Sequence, residues 1–154
     1  RDYKERHGRA YWDDLVAIEK TTGDRYLGRI GRSHWMTAFA PMGVAGDVLA
    51  VVEDVCCTLD LTAADLSDLA SGLAILMGEY DKMGIYSFNM NFFTAAHGED
   101  HFRFHLLFSP RTFFNQQLGT PDIGALRNLF NETLCMAFPE EINATLKRGF
   151  AAEV

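Results

Sequence analysis

Hydrophobic and polar positions alternate most cleanly from His101 to Arg111, HFRFHLLFSPR. At period two, Phe102, Phe104, Leu106 and Phe108 fall on one side, and His101, Arg103 and His105 fall on the other. That is the pattern of a strand with one face in a core and one on a polar site. A helix would mix rings with charges around its whole circumference. The same period predicts a strand over 86–93, with Ser87, Asn89, Asn91 and Phe93 sharing a face. Residues 25–32 and 34–40 predict a hairpin, Tyr26, Leu27 and Ile30 pointing inward in its first strand and Trp35, Thr37 and Phe39 alternating in its second. Pro41-Met42-Gly43 breaks that run, and 47–53 predicts a third strand.

Helical spacing takes over elsewhere. Thr62 suits an N-cap and Asp65 the positive end of a helix dipole; Leu66, Leu69, Leu73, Leu76 and Tyr80 then recur at three and four as far as Met83-Gly84. A short helix is expected over 12–20, with Leu15, Val16 and Ile18 for burial, after a charged surface lead-in at 1–8. Thr120-Pro121-Asp122 caps another helix with Ile123, Leu126, Leu129, Phe130 and Leu134 on its apolar side, and Phe138-Pro139-Glu140-Glu141 starts a last short one that runs to Arg148. Strands joined by short turns, with helices laid on them, define an α+β class: an antiparallel sheet of about five strands, a long packing helix and C-terminal helices.

Composition narrows the partners. A chain of 154 residues, 48% hydrophobic, reads as one domain over 1–154 with a proper core. A formal charge of −7 excludes a general nucleic-acid binder and an anionic membrane surface. No apolar run approaches the ~20 residues of a membrane span and no signal peptide opens the chain, so the cytoplasm is the expected location. Cys56, Cys57 and Cys135 make no disulfide framework. The chain starts at Arg1 without a methionine, as a piece of a longer protein would.

Strand geometry sets the chemistry of the polar row. Side chains two apart stand about 6–7 Å from each other, so His101, Arg103 and His105 would span roughly 13 Å. The two histidines are then too distant to chelate one metal by themselves, and a permanent cation between them suits an extended anion such as a phosphate chain. A solvated strand with idle histidines is the open alternative. Asn89 and Asn91 can serve ribose hydroxyls or phosphate, or simply face water. The loop 94–100 carries His97, Glu99 and Asp100, and Gly98 frees its backbone to approach an anion. His34 reads as structural.

HFRFHLL resembles the His-x-His-x-His signature of the histidine-triad superfamily, with arginine in the middle place, and Asn89-Met90-Asn91-Phe92 resembles the strand that precedes it. The closing string Phe138-Pro139-Glu140-Glu141-Ile142-Asn143-Ala144-Thr145-Leu146-Lys147-Arg148 is similar to the end of the galactose-1-phosphate uridylyltransferase family, whose members carry two such domains in tandem. The likeness, over nearly the whole chain, is to the second, non-nucleophilic half. It implies a hexose-1-phosphate nucleotidyltransferase domain acting on nucleotide sugars, with the nucleophilic histidine on a companion half. The alternative is a non-catalytic nucleotide-binding or dimerisation module; a stand-alone hydrolase using His101 or His105 ranks below both. The resemblance places nucleotide and phosphate contacts at Asn89, Asn91, His101, Arg103, His105 and Arg111. It places sugar contacts at Asn115, Gln116 and Gln117, in a segment that crosses to a partner subunit, so a homodimer or a companion half is implied. A remnant structural metal site, zinc or iron, would use His97, His101 and Glu99, against which the guanidinium of Arg103 counts. Two departures stand out. Ala10-Tyr11-Trp12-Asp13 replaces a Cys-x-x-Cys zinc pair, and Asp54-Val55-Cys56-Cys57 stands where a basic residue and a histidine are usual.

Overall fold

The structure, a computed structural model, describes residues 1–39, 46–111 and 138–151. The Pro41-Met42-Gly43 turn, the sugar contacts Asn115, Gln116 and Gln117, the helix expected from Thr120 and Cys135 lie outside the described residues.

The described chain runs α1 (Asp2–His7), α2 (Tyr11–Thr22), β1 (Tyr26–Ile30), β2 (Ser33–Thr37), β3 (Val48–Val52), a 3-10 turn (Thr58–Asp60), α3 (Ala63–Lys82), β4 (Ser87–Phe93), β5 (His105–Arg111) and α4 (Pro139–Ala151). The strands form an antiparallel sheet in the order β1-β2-β3-β5-β4, as the α+β reading expects. Alternation along β2, β3 and β5 sends one set of side chains to each face. On the first face Trp35, Val48, Ala50, Val52, Leu106 and Phe108 meet Leu69, Leu76 and Tyr80 of α3 and Ile142, Leu146 and Phe150 of α4. Gly72 lets α3 come close: a Cβ there would stand 2.2 Å from the Trp35 ring. On the second face Met36, Leu49 and Val51 pack against Leu15, with Trp12, Val16 and Leu107 beside them, so α2 covers this side.

α3 begins as its sequence dictates. Thr62 accepts from the Asp65 backbone N–H at 3.2 Å, and the Asp65 carboxylate accepts from the Thr62 N–H at 2.8 Å, a reciprocal capping box. Arg32, in the β1–β2 turn, donates twice to that carboxylate, at 2.9 and 2.6 Å. This guanidinium and the two Thr62 donors hold Asp65 well below the usual carboxylate range.

Several local expectations change. β5 starts at His105, not His101, so the alternation expected from 101 breaks down: Phe104 stays in the first core, whereas Phe102 turns to Trp12 and His105. Ile18 is 57% exposed while Glu19 is buried, because Arg25 reaches back to clasp the Glu19 carboxylate through Nε and Nη2 at 3.0 and 2.8 Å. Leu66 is 56% exposed, one turn short of the sheet-facing stripe. The charged lead-in forms α1, ended by Gly8 in the left-handed region.

Candidate functional site

The second face holds the chemistry-bearing strand positions. Antiparallel pairing sets Phe93 beside His105, Asn91 beside Leu107, Asn89 beside Ser109 and Ser87 beside Arg111. Because paired residues share a face, Asn89, Asn91 and Arg111 lie along one exposed margin with His105 at its inner end. His105 itself is 4% exposed. Its ring sits between Trp12, at 3.9 Å between centroids, and Phe93, stacked at 4.8 Å. Nδ1 lies 2.9 Å from the Arg103 carbonyl, which can only accept, so Nδ1 carries the proton and Nε2 the lone pair. Burial holds this imidazole neutral by pushing its pKa down.

Arg103 is drawn into the protein. Its guanidinium, on a side chain 13% exposed, pairs with Asp13 of α2 at 2.7 Å. Nη1 donates to the carbonyls of Phe102 and Asp100 at 2.9 and 3.3 Å and approaches the Cys56 sulfur at 3.3 Å. The charge is met at short range, and the arginine pins α2 against the chain that enters β5. His101 stands apart, Nδ1 2.5 Å from Glu99, in an open hollow of about 400 Å³ that it shares with Arg1, Lys4, Glu5 and Asp100. The structure therefore groups Asn89, Asn91 and Arg111 on the open margin, encloses Arg103 and His105 beneath α2, and leaves His101 at the far end.

The side chains that converge with metal-ligand chemistry, among the described residues, are Cys57, Asp60 and His97, whose ligand atoms lie within 4.8 Å of one another. Glu99 and His101, expected beside His97, pair with each other instead. His97 itself lies beside Asp60, at 3.5 Å.

Sequence reasoning missed Trp12 and Asp13, which decide what the second face can do. Ninety positions separate Asp13 from Arg103, so no local period could pair them. The one available signal was an acidic and an aromatic residue together where α2 begins. Beyond them, under α2, Asp13, Lys20, His34, Glu53 and Asp54 line a hollow of about 240 Å³. Three carboxylates make it a poor place for a phosphate. His34 is neutral there, its pKa lowered by burial, with Nδ1 2.8 Å from the Tyr26 hydroxyl. No helix among the described residues is long and apolar enough to cross a membrane.

No family model matches the chain. A curated protein of Archaeoglobus fulgidus, described only as uncharacterized, is 28% identical over 140 residues, which cover 91% of this chain and 41% of that one. A uridylyltransferase structure superposes at a TM-score of 0.77 and 14% identity over 99% of this chain and 48% of its own. A zinc-bound histidine-triad protein from Mycobacterium smegmatis superposes at 0.57 and 14% identity, over 90% of this chain and 92% of its own. The chain shares its fold with these uridylyltransferase and histidine-triad structures. It spans less than half the length of the archaeal relative and of that uridylyltransferase.

Proposed function

We propose that this chain is the non-nucleophilic half of a uridylyltransferase-like nucleotidyltransferase acting on hexose 1-phosphates and nucleotide sugars. The observation that carries the reading is Arg103, at the place where the triad signature has its central histidine. A guanidinium stays protonated and cannot attack phosphorus. Here its charge is also engaged by Asp13 at 2.7 Å. Covalent transfer, which divides one hard displacement into two easier ones, then needs a histidine from a companion half. The contribution of this half is the open margin: Arg111 for a phosphate oxygen, Asn89 and Asn91 for ribose or phosphate. His101 extends the polar surface at the other end, and His105 and Arg103 hold the shape from below.

A second reading, a histidine-triad-like assembly module that binds no nucleotide, is favoured by the enclosure of His105 between Trp12 and Phe93. Calorimetric titration with UDP-glucose separates the two. The first reading expects binding that Arg111→Ala weakens by about 1.5–3 kcal/mol, the worth of a charged hydrogen bond. It also expects no nucleotidyl exchange by the chain alone. Absence of heat with UDP-glucose, ADP-glucose and free nucleotides would overturn it in favour of the assembly module.

A further inference from the structure

We infer that Cys57, Asp60 and His97 form a zinc-type metal site that clasps the loop after β4 to the turn after β3. The three side chains come from segments far apart in sequence yet stitched together on both sides of the cluster. Ala95 donates its backbone N–H to the Cys56 carbonyl at 2.9 Å, Thr58 donates to the Thr94 hydroxyl at 2.9 Å, and Phe104 donates to the Val55 carbonyl at 2.7 Å. Within the turn, the Asp60 N–H bonds the Cys57 carbonyl at 3.0 Å and so brings the first and last residues of the turn together. Gly98, at a φ of +85°, lets the loop reverse immediately after His97.

The donor set selects the ion. One thiolate, one imidazole and one carboxylate are borderline-soft ligands that suit zinc or cobalt, whereas calcium and magnesium prefer oxygen alone. Bond lengths of about 2.3 Å to sulfur and 2.0–2.1 Å to nitrogen place ligands roughly 3.5 Å apart around a tetrahedral centre. Asp60 and His97 already stand 3.5 Å apart, and no pair in the cluster exceeds 4.8 Å. Cys57 is buried, whereas the His97 side chain is 71% exposed, so an ion held there would keep a fourth position open to water. The site shares its turn with Cys56, which touches Arg103, and its loop with Glu99 and His101. A bound ion would therefore stiffen the open end of the triad-like segment. Its ligands lie outside the proposed nucleotide margin, and the inference does not depend on that reading.

Cobalt(II) titration of the metal-stripped full chain tests the site. The expected result is one ion bound per chain, with visible bands of tetrahedral cobalt and a near-ultraviolet thiolate-to-cobalt band, competed away by zinc. Cys57→Ser should abolish the thiolate band and Cys56→Ser should keep it. His97→Gln and Asp60→Asn alter exposed side chains and should each weaken binding by about tenfold or more. No binding at micromolar cobalt would overturn the site and leave only the Asp60–His97 contact. So would a thiolate band that follows Cys56, or affinity unchanged in both exposed variants.

Discussion

The two faces of the sheet are built by different physics. The first buries hydrocarbon against hydrocarbon: Trp35, Leu76, Tyr80, Phe108, Leu146 and Phe150 interlock with α3 and α4. The second buries polar groups with it. α2 rests on Leu15 and Trp12, and it is also tied down by Asp13 to Arg103, by Glu19 to Arg25, and by the Tyr3 hydroxyl donating to Asp14 at 2.7 Å. Arg25 reaches Glu140 of α4 as well, at 2.8 Å, and so links the edges of the two layers. An apolar interface loses stability in proportion to the volume removed. An ion-paired one depends on pH and on whether both partners are removed together.

Truncation of the apolar face should have the largest effect. Leu76→Ala, in the middle of α3, should cost about 2–5 kcal/mol in denaturant unfolding. A loss below about 1 kcal/mol would mean that this face is less tightly packed than its burial implies. On the polar face Asp13→Ala strands a mostly buried guanidinium and should cost about 1.5–3 kcal/mol. Adding Arg103→Met should restore part of that loss, since an apolar side chain of similar length leaves no unpaired charge. A double variant no better than Asp13→Ala would show that Arg103 contributes more than its pairing.

The smallest effect is the most specific to the second face. His34 and His105 are both held neutral by burial, below the ordinary histidine value near 6.5. Each takes up a proton more readily in the unfolded chain. Their contribution to stability is thus complete above about pH 6.5 and is lost as pH falls through the lowered native values. The slope of unfolding free energy between about pH 6.5 and 5 should flatten in His105→Phe, by on the order of 1 kcal/mol across that interval. A slope identical to that of the native chain would remove His105 from the acid response.

Much of this architecture was legible along the chain. Period two marked β2, β4 and the body of β5, and the capping box with its leucine stripe marked α3, because those signals are local. Ile18 is expected inside, yet it is the neighbouring Glu19 that is buried, because Arg25, just ahead of β1, takes its carboxylate. Phe102 was assigned to the first core because strand alternation was extended four residues too far. The polar row loses its open aspect because Asp13 and Trp12 arrive from a helix about ninety positions away. Cys57, Asp60 and His97 likewise belong together only after β4 folds back beside β5.

The double engagement of Asp65 makes one carboxylate answer to two neighbours: it closes the first turn of α3 and receives the Arg32 fork from the β1–β2 turn. One turn on, the hairpin and the helix stay close, since a Cβ at Gly31 would fall 1.6 Å from the Asp68 carboxylate. Fraying of this helix end cannot then proceed as a private event, because it must first release the hairpin. In native-state hydrogen exchange the amides of Leu66 and Ser33 should report a common opening, a cooperative unit that crosses the boundary between helix and sheet.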